Sequence, residues 1–270
     1  MKKILTIGGS DPFAGGGIQS DLKTFENYHQ FGMSALTCVG MLNNEGDFIL
    51  QNVSPEWLEQ QLVSIDQMVN LDGIKIGLLN SMAAIDVVTE FVKKKTDIPI
   101  VLDPVLAFKE TDDLAQDTYS KHLVDHLFPL ADVVTPNLKE AALLTGKNDS
   151  FQLEEIRKMA KEIYSFGSRS VIVKGGAGVF GEDAIDVLYS EVGFESFHLK
   201  KRPSITVNGA GCTFSSAITA NLANGTSLSK SVANSKKYVY QCIINGVMMK
   251  DGTGSVWSGG EMKEDDWIDY

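Results

Sequence analysis

Short runs of β-branched and aliphatic residues alternate along this chain with longer stretches whose apolar residues recur every three or four positions. Runs at Lys3–Gly8, Met33–Met41, Gly73–Gly77, Ile98–Leu102, Asp132–Thr135 and Ser170–Lys174 predict strands. Helical spacing covers Ile18–Tyr28, Trp57–Met68, Ser81 to about Lys95, Tyr119–Phe128, a segment from about Leu138, Leu153–Phe166, Thr213–Asn224 and Ser227–Val247. Ser54-Pro55 reads as an N-cap followed by proline at the first helical position. Ile49–Val53 reads as a short edge strand, and Ala184–Tyr189 with Glu195–Leu199 as a hairpin. Ile205–Val207 is a further short strand-like run. Residues 107–118 are polar and aperiodic, and a loop placed after a strand-end carboxylate is where a lid would lie. The tail, Gly252–Tyr270, is glycine-rich and acidic and is expected to be loosely held.

This alternation predicts an α/β fold, with a mainly parallel central sheet covered by helices on both faces. No linker-like composition shift or internal repeat interrupts it, so residues 1–270 are expected to form one domain. Ligands of such sheets bind beyond the carboxyl ends of the strands. The chemically unusual residues fall there: Gly8-Gly9-Ser10-Asp11, Lys75, Asp103, Asn137, Lys174 and Gly209-Ala210-Gly211-Cys212.

The last of these carries the most chemistry. Glycines between a strand and a helix let backbone N–H groups approach a ligand, and the helix dipole adds positive potential, which suits phosphate. Cys212 sits at that helix end, where a thiolate is favoured; the alternative is a tight turn with an inert, buried cysteine. A second strand–glycine–helix unit runs from Gly8 through Gly15-Gly16-Gly17, without the spacing of a dinucleotide fingerprint. Asp21, in the first turn of its helix, is read as a ligand contact or as a dipole-favourable surface carboxylate.

Composition narrows the partners. The 270 residues are 43% hydrophobic with a net charge of −11, which argues against nucleic acid or an anionic membrane surface. A phosphate substrate therefore needs a local positive field. The apolar run Ile4–Ile7 is too short for a secretion leader, and no run is long enough to span a membrane. Three cysteines without metal-site spacing fit a reducing cytoplasm; Cys38 and Cys242 lie at apolar positions. His122 and His126 share a helix face, but no third ligand is evident in sequence, so they are read as a solvated face.

Thr6-Ile-Gly-Gly-Ser-Asp11 with Gly15-Gly-Gly-Ile-Gln-Ser-Asp-Leu-Lys-Thr-Phe25 resembles the N-terminus of the pyridoxal and hydroxymethylpyrimidine kinases of the ribokinase-like superfamily. Asp103-Pro-Val, Thr135-Pro-Asn-Leu-Lys-Glu140, Val173-Lys-Gly-Gly176 and Gly209-Ala-Gly-Cys-Thr213 continue the resemblance in the family's order over about residues 4–225. It implies a ribokinase-like single domain with a small lid, and transfer of the γ-phosphoryl group of MgATP to a ring-borne hydroxymethyl group. It also implies backbone donation from Gly209, Ala210 and Gly211 and a catalytic Cys212, which could accept a proton or add to an aldehyde. Ser10, Gly17, Asp21, Leu42 and Lys75 would line the substrate pocket. Asn137, Lys174, Thr213 and the Val232–Lys237 stretch would serve ATP, with Glu140 and Asp103 in the Mg²⁺ region. A monovalent cation requirement stays open, and a homodimer is implied.

Pyrimidine kinases of this family carry a glutamine where Leu42 stands, which favours pyridoxal and related vitamers. Some pyridoxal kinases carry a lid cysteine where Phe108 stands, so covalent trapping would rest on Cys212. The rival readings are a hydroxymethylpyrimidine/phosphomethylpyrimidine kinase of thiamine synthesis and a vitamer-binding protein without turnover.

Overall fold

A computed structural model describes residues 1–106, 113–147, 152–202 and 204–259. The elements run β1 (Lys3–Ser10), α1 (Gly17–Asn27), β2 (Phe31–Leu42), β3 (Phe48–Asn52), α2 (Pro55–Met68), β4 (Gly73–Ile76), α3 (Met82–Val92), β5 (Ile100–Leu102) and α4 (Asp113–Leu127). They continue with β6 (Val133–Val134), α5 (Leu138–Thr145), α6 (Leu153–Tyr164), β7 (Ser170–Lys174), β8 (Asp183–Ser190), β9 (Gly193–Lys200), α7 (Ala210–Ala223), α8 (Leu228–Ile244), β10 (Val247–Met248) and β11 (Gly254–Ser255).

Nine strands form one sheet in the order β3-β2-β1-β4-β5-β6-β7-β8-β9. The run from β2 to β7 is parallel, while β3 at one edge and the β8–β9 hairpin at the other are antiparallel. Strand alternation divides the core. Ile100 and Leu102 of β5 face the layer of α2 to α6, whereas Val101 faces α7 and α8. On that second face Ile4 and Phe25 join α1 to Ala220 and Ala223 of α7.

The middle of this face is polar. Thr6 of β1 and Lys75 of β4 are paired neighbours, and both reach Asp21 of α1. The Asp21 carboxylate accepts from Thr6 Oγ1 at 2.6 Å, Lys75 Nζ at 2.9 Å and Ser216 Oγ of α7 at 2.6 Å. Asp21 is fully buried and Lys75 is 1% exposed. Burial opposes the Lys75 charge, but Asp21, with Cys212 and Asp103 beyond it, outweighs that and holds the ammonium above the usual lysine range.

Three local expectations need correction. Ile205–Val207 is not a strand: Ile205 and Val207 are exposed, and no neighbouring strand pairs with them. Its β propensity has no ladder to join. The expected lid divides: residues 107–112, with Phe108, lie outside the described residues, and 113–118 belong to α4. The start of the tail is anchored, with Ser255, Val256 and Ser258 buried. Val256 N donates to Asn208 O at 3.0 Å, and Tyr238 OH donates to Ser258 O at 3.2 Å. Residues 260–270 lie outside the described residues. Among the described residues no helix is long and apolar enough to cross a membrane.

Removing one partner of a buried pair strands the other charge. Asp21→Asn is therefore expected to lower stability by about 3–5 kcal/mol, read from urea unfolding with an unchanged slope. A loss under about 1 kcal/mol would show that the pair is not what ties these elements together.

Candidate active site

Backbone register sets a row of side chains along the carboxyl edge. Asp103 N donates to Ile76 O at 2.8 Å, Thr135 N to Leu102 O at 2.9 Å and Lys174 N to Pro136 O at 2.8 Å. These bonds carry the parallel ladder past the ends of β4, β5 and β6, so Asp103, Thr135 and Lys174 line up. Their side chains then join. Lys174 Nζ lies 2.5 Å from Asp103 Oδ1, with Thr135 Oγ1 at 3.2 Å from the same oxygen and Ser215 Oγ at 3.3 Å from Asp103 Oδ2.

The two glycine loops meet above this row. Gly209 caps α7 with φ +83°, and a Cβ there would fall 1.5 Å from Gly15 O. Gly17 has φ +59°, and a Cβ there would fall 2.4 Å from Gly9 O. Only glycine satisfies both conformation and space at these positions. Gly209 offers α7 no side-chain cap. The Gly211 and Cys212 amides open the helix without an intrahelical acceptor, beside Lys174, whose Nζ would stand 3.2 Å from a Cβ on Gly211. Donors, a helix dipole and a fixed ammonium converge on one spot.

Cys212 Sγ would lie 3.9 Å from a Cβ on Gly16, and the Gly17 amide points its N–H at the thiol. Burial raises the thiol above its ordinary value; Lys75 pulls it down while Asp103 and Asp21 push it up. Burial thus works against the thiolate that the helix end favours.

Asn137 and Glu140 close a capping box on α5, with Asn137 N to Glu140 Oε2 at 2.8 Å and Glu140 N to Asn137 Oδ1 at 2.9 Å. Burial, first, raises the Glu140 carboxyl to about 7; Lys174 lowers it and Asp103 raises it. Two buried carboxyl groups beside one ammonium make a hard-oxygen donor set. That set fits Mg²⁺.

Beside the row opens a cavity of about 470 Å³. Leu199, Val207, Phe214, Val239 and Ile243 supply apolar wall; Asn137, Lys174, Gly211, Asp186 and Lys236 lie at its polar end; Lys200, Lys201 and Arg202 flank it. It supplies the local positive field that a net charge of −11 denies the whole chain.

Of the remaining expected site residues, Ser10 stands at the end of β1, its hydroxyl accepting from Gln19 Nε2 at 2.7 Å. Asp21 and Lys75 are buried and bond to one another, and both Asp21 oxygens already have partners. Leu42 is 53% exposed at the tip of the β2–β3 hairpin, paired with Phe48, whose ring lies 6.3 Å from Phe13. Thr213 is buried, its hydroxyl 2.8 Å from Ser20 Oγ, so it ties α7 to α1. Val232 is core, and Lys237 does not line the cavity. The helix phase puts Lys236, Val239, Tyr240 and Ile243 there instead.

Asp186 was missed, and Lys236 fell inside the expected Val232–Lys237 stretch without being singled out. Lys236 Nζ lies 2.6 Å from Asp186 Oδ2, and Gly176 N donates to Asp186 Oδ1 at 3.1 Å. The signal was present, because Asp186 interrupts an apolar strand and Lys236 stands on the apolar stripe between Val232 and Val239.

The family model described as phosphomethylpyrimidine kinase matches residues 11–257. The chain belongs to the phosphomethylpyrimidine kinase family. Within reach of this kinase family, a Bacillus subtilis pyridoxine kinase is 34% identical over 245 residues, covering 90% of each chain. A Staphylococcus aureus hydroxymethylpyrimidine/phosphomethylpyrimidine kinase is 34% identical over 244 residues, covering 90% of this chain and 88% of that one. The structure of the Staphylococcus aureus pyridoxal kinase in complex with AMP-PCP and pyridoxal superposes with a TM-score of 0.89 at 33% identity, covering 96% of this chain and 94% of that one.

The raised Glu140 carboxyl binds a proton in the folded chain that the unfolded chain has already lost. Its contribution is thus full below the unfolded value and is lost as pH rises through about 7. Glu140→Gln, which mimics the protonated form, is expected to gain on the order of 2 kcal/mol relative to the parent between pH 5 and pH 8. Urea unfolding of the ligand-free proteins at both pH values tests this, and a constant difference would refute it.

Proposed function

We propose that this chain transfers the γ-phosphoryl group of ATP to the hydroxymethyl group of pyridoxal, pyridoxine or pyridoxamine. The observation that carries this reading is the uncapped N-terminus of α7, clasped against the first glycine loop and flanked by Lys174. Phosphoryl transfer asks chiefly for positioning and charge neutralisation. The Gly211 and Cys212 amides and Lys174 would hold the phosphoryl oxygens. Lys236, fixed by Asp186, would orient the nucleotide in the 470 Å³ cavity, its base against Phe214, Val239 and Ile243. Glu140 and Asp103 would hold Mg²⁺, which neutralises phosphate charge when bound.

The acceptor would lie between the glycine loops. Its hydroxyl oxygen attacks phosphorus, the bond to the β-phosphate oxygen breaks, and the hydroxyl proton passes to Cys212 Sγ in its thiolate form. A base whose affinity for protons is raised works better as the medium becomes alkaline. Ser10, Gly17 and Leu42 are the proposed substrate contacts, with Asp21 and Lys75 supporting them from below. The cytoplasm is the proposed location, consistent with three free cysteines. A homodimer is the proposed assembly, residues 1–270 acting as one domain in each copy.

Pyridoxal is favoured over the pyrimidine by Leu42, an apolar side chain on the hairpin where the pyrimidine enzymes would present an amide. The pyrimidine reading remains the second one, supported by a relative named for that activity.

Coupled ATP turnover is expected to give pyridoxal or pyridoxine a kcat/KM at least about tenfold above hydroxymethylpyrimidine, a gap of about 1.4 kcal/mol. A pyrimidine preference would move the chain to thiamine synthesis. Cys212→Ala is expected to lower kcat by about 10²–10⁴ with little change in the KM for ATP. The parent's kcat should climb with pH through and above the ordinary thiol range, and Cys212→Asp should flatten that climb. A parental kcat and pH profile in Cys212→Ala would remove the thiol from the chemistry.

A further inference from the structure

Outside the pocket, α3 and α4 pack side by side on the other face of the sheet. The third ligand that the sequence did not offer to His122 and His126 arrives here from the neighbouring helix. Asp86 Oδ1 of α3 lies 2.7 Å from His122 Nε2. The His122 and His126 rings, four residues apart on one face of α4, are 4.0 Å apart centre to centre. His126 Nδ1 lies 2.9 Å from the His122 carbonyl oxygen. A carbonyl only accepts, so Nδ1 carries the hydrogen and Nε2 keeps its lone pair. Metal-binding imidazoles are oriented in this way, by a bond from the second ring nitrogen.

One donor atom from each of the three residues lies within 4.8 Å of the other two. Ligands around tetrahedral zinc stand about 3.4 Å apart, from metal–ligand lengths near 2.1 Å. Asp86 is 58% exposed and His122 24% exposed, so the remaining distance is within reach of side-chain rotation and the site is open to solvent. We propose that Asp86, His122 and His126 bind one divalent transition-metal ion, completed by water, which clamps α3 to α4. Two imidazoles and one carboxylate suit zinc, nickel or copper rather than magnesium. The site is therefore chemically distinct from the Glu140 and Asp103 region, and none of its three residues lines the nucleotide cavity.

The test uses the full chain, stripped of metal, in a Cys212→Ser background so that the pocket thiol does not compete. Titration calorimetry with Zn²⁺, and the visible spectrum of added Co²⁺, are compared among this protein, His126→Gln and Asp86→Ala. The expected result is one ion per chain, a tetrahedral Co²⁺ spectrum and a raised unfolding temperature. Each variant should weaken binding at least about tenfold and lose the temperature shift. In the wild-type Cys212 protein, His126→Gln should leave kinase turnover with MgATP unchanged. Zinc binding of equal strength in His126→Gln, or no binding in the reference protein, would overturn the proposal. If either variant fails to fold, judged by circular dichroism, loss of Co²⁺ binding in His122→Gln decides the matter in its place.

Discussion

A single buried carboxylate organises this molecule. Asp21 joins a helix to two strands and a second helix through Thr6, Lys75 and Ser216. Two charges taken from water gain little net stability even when well paired, whereas leaving either alone is costly. The pair thus acts as a specification. Any packing of α1 and α7 on the sheet that fails to bring Ser216 and Lys75 to the two oxygens of this carboxylate strands a charge in the core. Because each glycine loop leads directly into one of those helices, the same constraint fixes how the loops face each other.

From that arrangement the site follows with little further machinery. Parallel register carries Asp103, Thr135 and Lys174 to one edge, and the capping box of α5 adds Glu140. The groups there are electrically dependent on one another. Lys174 is held charged by Asp103 and Glu140, against the cost of burial. Glu140 is held close to neutrality by burial and by Asp103. A polyanion with its counterion would enter a site whose charges are already balanced internally, so binding exchanges partners rather than creating charge.

The fold was legible because its strands are short, apolar and bounded by glycine or proline, and its helices keep a clear period. The strand ends also located most of the site, since parallel topology forces ligand-facing residues there. What could not be read was direction. Asp21 sits beside the glycine loop in sequence yet bonds inward, and Thr213 follows the second glycine turn yet is held by Ser20. Val232 shares the stripe of Lys236 and Val239 but lies deeper, in the core, and Lys237 is turned about 100° away from Lys236. Ile205–Val207 has the residues of a strand and no partner, a fact only the tertiary arrangement holds. The inward carboxylate and the outward lysine look alike until the neighbours are known.

The contact between Gly209 and Gly15 has a consequence for how the protein is made. The first loop leaves the ribosome nearly two hundred residues before its partner. Asn208 in turn pairs with Ser255, and Gly15 packs against that same serine. A nascent chain can therefore hold all the strands of its nine-stranded sheet before the two glycine loops meet, and the loop contact is completed only after Ser255 has emerged. A chain halted between Lys200 and Gly209 would carry every strand of that sheet and neither partner of the first loop.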